Sequence, residues 1–386
     1  MTLGKNPDIM SGIDSEFVGH GLVFGKFMPP TNGHLHFIQF ARQSCRKLTI
    51  MVCSTPEEPI AGEVRYKWMK ELFPDCNVVY HYADIQQEPV TSPEDPTGAN
   101  DTAFFESWRN SIYKHCPGEK FDALFASEEY GFRVADSMGI KFIPVDIRRD
   151  LVPISGTAMR NNPMLHWDHL HPVVRPYFAK RIAVMGPEHC GKSEVTEQLA
   201  GHFHTSYVGD YFTSFLNECE RQMPGYSQNN FSIKDVSTIA RGQMASEASL
   251  ARQANRLLFC DTELKTVEFW SRRFFNDCPT WVAKAANDAQ YDLYLLMDPK
   301  DAPAIYGHDA ESDAAELQAQ FDWLKASIEK TGKPVVVISG KTAEERFRNA
   351  VVATYQHIPE IISAQTPQGQ FRLSAGELNP RLNGQH

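Results

Sequence analysis

Eight residues near the middle of the chain, Gly186-Pro187-Glu188-His189-Cys190-Gly191-Lys192-Ser193, fit the pattern G-x-x-x-x-G-K-[ST]. The apolar run Arg181-Ile182-Ala183-Val184-Met185 before them suits a buried strand, and residues 194–200 after them carry apolar positions at helical spacing. A glycine turn between strand and helix is the setting in which this pattern binds phosphate. The glycines let backbone N–H groups point inward, and the helix start adds partial positive charge. Gly186, Glu188, His189, Cys190 and Gly191 would line ATP, Lys192 would reach its β- and γ-phosphates, and Ser193 would touch ATP and hold Mg²⁺. A unit of this kind opening at residue 181 leaves a domain-sized stretch ahead of it, so a chain of 386 residues is expected to hold two domains.

Composition narrows the class. A net charge of −10 argues against broad nucleic-acid binding. Eight cysteines are scattered with no C-x-x-C pair, which suits reduced thiols in a cytoplasm better than a disulfide frame. No apolar run reaches the length of a membrane helix, and the first residues have no signal-peptide core, so no membrane partner is expected.

In the first half, Gly21–Gly25 reads as a buried strand, followed by a helix to about Arg46 and a second apolar run at residues 48–53. Strand, helix and strand in close succession make a βαβ unit and a parallel sheet. The turn after the first strand resembles the G-x-F-x-P-x-[HT]-x-G-H signature of the nucleotidylyltransferase superfamily, matching at Gly25, Phe27, Pro29, Thr31, Gly33 and His34. Further on, Ile154-Ser155-Gly156-Thr157-Ala158-Met159-Arg160 matches its second motif, I-S-x-T-x-x-R. Ser155 suits an N-cap whose exposed N–H groups favour an anion, and Arg160 lies one turn later. Strands are also expected at residues 121–127 and 141–146. Trp108 follows a loop of Pro, Asp and Gly and could either stack on a flat heteroaromatic ring or pack in the core. The cluster His166-Trp167-Asp168-His169-Leu170-His171 matches no standard zinc spacing.

In the second half, residues 257–263 read as an apolar strand ending in acids, with Asp261 placed to bind Mg²⁺. Asp210 is the carboxylate best placed to take a proton from a substrate hydroxyl. Residues 291–298 and 334–340 read as later strands. The expected organisation is a leader at 1–17, a first domain at 18–171, a stiff linker at 172–180, a second domain at 181–363 and a flexible tail at 364–386.

This order of motifs resembles the bifunctional nicotinamide-mononucleotide adenylyltransferase/ribosylnicotinamide kinase family (NadR-type). The likeness covers roughly residues 18–300, including Gly25-Lys26-Phe27, Gly33-His34, the Arg65/Trp68 segment, Trp108, both phosphate motifs and Asp261-Thr262-Glu263. It implies an α/β chain: a Rossmann-like nucleotidylyltransferase domain followed by a P-loop kinase domain, both with parallel sheets. The first would transfer AMP from ATP to nicotinamide mononucleotide, giving NAD and pyrophosphate. The second would phosphorylate nicotinamide riboside with ATP. His34, Thr31, Arg160 and Mg²⁺ would stabilise charge in the first domain, with Gly25, Lys26, Phe27, Gly33, Ser155 and Thr157 at ATP and with Arg65 and Trp108 at the acceptor. Lys192, Asp210, Ser193 and Asp261 would act in the second, with Tyr211 at the riboside. Homo-oligomerisation is left open.

Three departures stand out. Some family members begin with a DNA-binding domain, which the 17 residues ahead of the first domain are too few to be expected to hold. The segment Asp210-Tyr211-Phe212-Thr213-Ser214 keeps the acid and tyrosine of the family's E-Y-G-R-E but not its arginine, and Ile305-Tyr306-Gly307-His308-Asp309 stands without arginine where relatives carry D-D-G-x-R. Two alternatives stand beside this reading: a regulatory nucleotide-binding second domain, which the missing arginines favour, and a first domain acting on another phosphate acceptor.

Overall fold

The computed structural model describes residues 17–363, apart from 84, 87–88, 96–97, 99, 129, 148–153, 227–229, 301, 303–304 and 306–313. The expected tail, nearly all of the leader and most of the 305–309 segment lie outside the described residues. The chain divides into two compact units, Met1–Val174 and Arg175–His386.

In the first unit the elements run β1 (Val18–Gly25), α1 (Asn32–Ser44), β2 (Cys45–Ser54), α2 (Gly62–Leu72), β3 (Asn77–Tyr82), α3 (Thr102–His115), β4 (Ala123–Ala126), α4 (Gly131–Met138), β5 (Lys141–Pro144) and α5 (Gly156–Asn161). The strands form a parallel sheet in the order β3-β2-β1-β4-β5. Successive strand side chains point to opposite faces, and both faces are covered. Val23 packs with Ile38, Ile50 and Met69 on one side, and Leu22 packs with Trp108, Leu124 and Val134 on the other. That is why the central strand reads as an unbroken apolar run. The winding reverses at β1, which opens a crevice at the carboxyl ends of β1 and β4. Strand β3 was not foreseen: its residues are mostly half-buried and give no apolar run.

The second unit runs α6 (Arg175–Phe178), β6 (Lys180–Met185), α7 (Lys192–His202), β7 (Tyr207–Val208), α8 (Tyr211–Gln222), α9 (Ile233–Leu250), β8 (Leu257–Asp261), α10 (Leu264–Phe275), α11 (Thr280–Asp288), β9 (Leu293–Met297), α12 (Ala314–Glu329), β10 (Val335–Ile338), α13 (Ala343–His357) and α14 (Glu360–Ser363). Its sheet is again parallel, in the order β10-β9-β6-β8-β7. Every residue of β8 and β9 is buried, as strands covered on both faces should be. The segment expected as a linker holds the α6 turn and the first residue of β6. Among the described residues no helix is long and apolar enough to cross a membrane.

Candidate active sites

In the first unit the turn after β1 and the start of α5 meet at one crevice. Arg160 Nη1 donates to the Met28 carbonyl at 2.6 Å, and Nη2 donates to Thr157 Oγ1 at 3.1 Å. Ser155 caps α5 by accepting from Ala158 N–H at 3.0 Å. The approach is close at Gly156, where a Cβ would lie 3.0 Å from the Met28 carbonyl oxygen. Gly33, His34, Ser155 and Gly156 line the cleft, together with Glu128 and Asp146.

His34 stands in the first turn of α1 and is held by a reciprocal cap. The Thr31 hydroxyl accepts from the helix N–H of His34, and the Thr31 N–H donates to His34 Nδ1 at 3.1 Å. A ring nitrogen that accepts from a backbone N–H carries no proton, so in the neutral ring the proton sits on Nε2. Phe27 meets the His34 ring edge-on at 5.5 Å.

Several expected roles are corrected here. Thr31 is 1% exposed and its hydroxyl lies 2.9 Å from His34 Nδ1, so it holds the histidine. Phe27 is buried in the core, as is Trp108. The indole is 4% exposed, stacks on Phe24 and His81, and donates Nε1–H to the Gln86 carbonyl at 3.0 Å. Of the two readings of Trp108, the structure gives core packing. Arg65 is also fully buried. Its guanidinium donates to the carbonyls of Ile60, Cys53 and Lys26 and to Ser54 Oγ, and it pairs with Glu58. With no face left for a substrate, it clasps the ends of β1 and β2. Gly25 ends β1 and Lys26 follows it at that clasp, where Lys26 Nζ reaches Glu58 Oε1 at 3.5 Å. Among the described residues, no group of three His, Cys, Asp or Glu side chains that could hold a metal ion comes together, at 166–171 or elsewhere.

In the second unit the phosphate loop leaves the central strand β6. Gly186 has φ +148°, and a Cβ on it would lie 2.9 Å from the Met297 Cβ of β9, so only glycine fits. Gly191 enters α7 in the left-handed conformation. Glu188 and His189 are exposed and Cys190 is buried beneath the loop. Lys192 Nζ folds back to the Pro187 carbonyl at 2.7 Å. Ser193 Oγ donates to Asp261 Oδ2 at 2.5 Å, which joins the loop to the end of β8. Burial raises the Asp261 pKa, against the pull of Lys192 and Ser193. Its other oxygen, Oδ1, is buried and takes no hydrogen bond among the described residues.

Asp210 caps α8. Its Oδ1 accepts from Phe212 N–H at 3.0 Å and its Oδ2 from Thr213 Oγ1 at 2.6 Å. Thr262 Oγ1 approaches Oδ1 at 3.4 Å, from a β-branched residue at φ +64°. The backbone strain therefore sits between the two carboxylates. Tyr211 follows directly, half-buried, with its N–H donating to Gln243 Oε1 at 3.2 Å.

The sequence reading missed the residues that hold these loops. Arg346 is fully buried and donates to the carbonyls of Asp298 (2.8 Å) and Gly340 (3.1 Å), and to that of Lys300. Its Nη1 also reaches the Cys190 carbonyl at 3.5 Å. Glu58, partner of Arg65, was missed as well. Both arginines bind carbonyls far apart in sequence, and no local motif encodes that.

Comparison with known proteins finds one family match and, among others, two relatives and two solved structures. A family model described as an AAA domain matches residues 181–346. The trifunctional NAD biosynthesis/regulator protein NadR of Escherichia coli (strain K12) is 25% identical over 356 residues, 86% of this chain and 81% of the relative. The protein of the same name from Salmonella typhimurium (strain LT2) is 25% identical over 300 residues, 72% of this chain and 68% of that one. Among solved structures, NadR in complex with NAD and AMP-PNP aligns with a TM-score of 0.66 at 18% identity, over 92% of this chain and 99% of that chain. NadR in complex with NR aligns with a TM-score of 0.67 at 18% identity, over 92% and 98%. These two likenesses establish the fold.

Proposed function

We propose that this chain, a homologue of the NadR proteins, performs two consecutive steps of NAD salvage. The second unit phosphorylates nicotinamide riboside with ATP, and the first joins the resulting mononucleotide to AMP. The observation that carries this reading is common to both units. Each gathers its phosphate-handling residues at the carboxyl end of its central parallel strand, β1 or β6, where such sheets bind ligands.

In the first unit a phosphate oxygen of the mononucleotide attacks the α-phosphorus of ATP. The new P–O bond gives NAD, and the α–β bridging bond breaks to release pyrophosphate. The nucleophile is already an anion, so positioning and charge stabilisation suffice. His34 donates from Nε2 to the phosphate oxygens. Arg160 and the N–H groups beside Ser155 bind the departing pyrophosphate, and Gly33 lets the phosphates approach the helix backbone. Thr31 holds His34 in its tautomer.

In the second unit Asp210 accepts the proton of the riboside 5′-hydroxyl as that oxygen attacks the γ-phosphorus, and ADP leaves. Lys192 turns from the Pro187 carbonyl to the β- and γ-phosphates, and Tyr211 borders the riboside. A hydroxyl and a carboxylate side by side, with a buried oxygen lacking a hydrogen bond, form a donor set that suits Mg²⁺. Ser193 and Asp261 would hold the ion, whose positive charge would offset that of the triphosphate. All eight cysteines are free, which supports a cytoplasmic location.

The test is label transfer with purified protein. With nicotinamide mononucleotide, label from the α-phosphate of ATP should enter NAD. With riboside, label from the γ-phosphate should enter the mononucleotide. Label from the α-phosphate passing instead to another phosphate acceptor, with none in NAD, would contradict the assignment of the first unit.

A further inference from the structure

Helix α9 carries a glycine in its middle, Gly242, at a cost of about 1 kcal/mol relative to alanine in a helix interior. Its backbone is ordinary, with no positive φ that would demand glycine. What requires glycine is the Tyr211 ring: a Cβ on Gly242 would lie 2.0 Å from Cε1, 2.2 Å from Cζ and 2.5 Å from Cδ1. The ring therefore lies directly against the α9 backbone. The next residue of α9, Gln243, is 2% exposed and accepts the Tyr211 N–H at 3.2 Å. Gln243 Nε2 in turn reaches Glu247 Oε1 at 3.4 Å, and that oxygen accepts the Tyr291 hydroxyl at 2.7 Å. Arg181 of β6 pairs with Glu247 Oε2 at 3.3 Å. Tyr211 is thus fixed at its backbone by Gln243 and at its ring by the gap at Gly242, one residue after Asp210.

We infer that Gly242 is a positioning residue that sets which nucleosides the second unit accepts. By giving the Tyr211 ring a berth on α9, it keeps that ring off the space beside Asp210. A nucleoside with a flat cationic base can then lie against the tyrosine, its 5′-hydroxyl at the carboxylate. A flat aromatic face attracts a cation, so the berth favours a pyridinium nucleoside over a neutral one. The inference rests on the kinase reading of this unit.

The test is Gly242→Ala in the full chain, with riboside phosphorylation and riboside binding by calorimetry both measured. Alanine favours the helix, which offsets the cost of shifting the half-buried Tyr211 ring on the Val236–Ile239 cluster, so the melting temperature should change by only about a few degrees. The riboside KM and dissociation constant should each rise about tenfold while kcat stays within about twofold. Adenylyl transfer to added mononucleotide serves as a folding control. In a Tyr211→Ala background the same substitution should add nothing, because its effect passes through the ring. Three results would overturn the inference: an unchanged riboside KM, a joint fall of kcat and melting temperature, or a full added effect in the Tyr211→Ala background. A parent protein that neither binds nor phosphorylates riboside would defeat the kinase reading and this inference with it. A parent that works beside an unchanged alanine variant would defeat this inference alone.

Discussion

Arg160 Nη1 donates to the carbonyl of Met28 at 2.6 Å, across 132 positions of sequence. One guanidinium thereby joins the turn after β1 to α5, with its other nitrogen on Thr157 Oγ1. Arg160→Ala should lower kcat/KM for adenylyl transfer about 10²-fold, through loss of both pyrophosphate charge and loop position. Arg160→Lys should recover only part of it, since an ammonium cannot hold two acceptors in a fixed fork. Equal activity in the two variants would separate the contact from catalysis. The readout is steady-state pyrophosphate release.

Thr31 and His34 should behave differently although they touch. His34→Ala removes the donor itself, and kcat for adenylyl transfer should fall about 10²–10³-fold with little change in melting. Thr31→Ala removes the helix cap, so it should cost about 1 kcal/mol of stability, with a smaller loss of kcat from a freed imidazole. Parallel thermal melts and rates distinguish the two.

Trp108 and Arg65 are core residues and should fail as such. Trp108→Ala should destabilise the first unit by about 3–5 kcal/mol, as loss of a buried aromatic does. Arg65→Ala should cost a similar amount, about 3–5 kcal/mol, because it strips the Ile60, Cys53 and Lys26 carbonyls of their buried donor and leaves buried Glu58 with Lys26 as its remaining counter-charge. A rise in acceptor KM at unchanged stability, for either variant, would restore the substrate role.

His81 makes stability depend on pH. Burial, helped by the neighbouring His115, pushes its pKa down to about 4, and Nδ1 has no hydrogen-bond partner among the described residues. In the unfolded chain the imidazole titrates near 6.5, so acid is taken up on unfolding. Its contribution to stability is therefore intact above pH 6.5 and is lost as pH falls from 6.5 towards 4. Denaturant unfolding should show a lower midpoint at pH 5 than at pH 7, and His81→Gln should shrink that difference. An equal pH response in the variant would assign the effect to other groups.

The phosphate-handling parts were legible because each is a contiguous pattern whose chemistry is local. Gly186–Ser193 and Ile154–Arg160 carry their own turn residues, cap and cation. The central strands were legible because both their faces are covered. Thr31 and Trp108 were only half legible: residue type suggested contact with ligand, but burial is set by what packs around them, Phe24 and His81 in the case of the indole. Arg65 was singled out but assigned to the acceptor, and Arg346, Gln243 and Gly242 could not be read at all. Their partners are backbone groups or a ring brought from elsewhere by the fold, and nothing in the sequence beside them marks those partners.

The most direct test supplies ATP, Mg²⁺ and nicotinamide riboside as the only acceptor, and follows products with time. The parent chain should form NAD through nicotinamide mononucleotide. Lys192→Ala should form neither from riboside yet make NAD when the mononucleotide is added, and His34→Ala should accumulate the mononucleotide. Absence of NAD from both acceptors in the parent chain would contradict the two-step assignment.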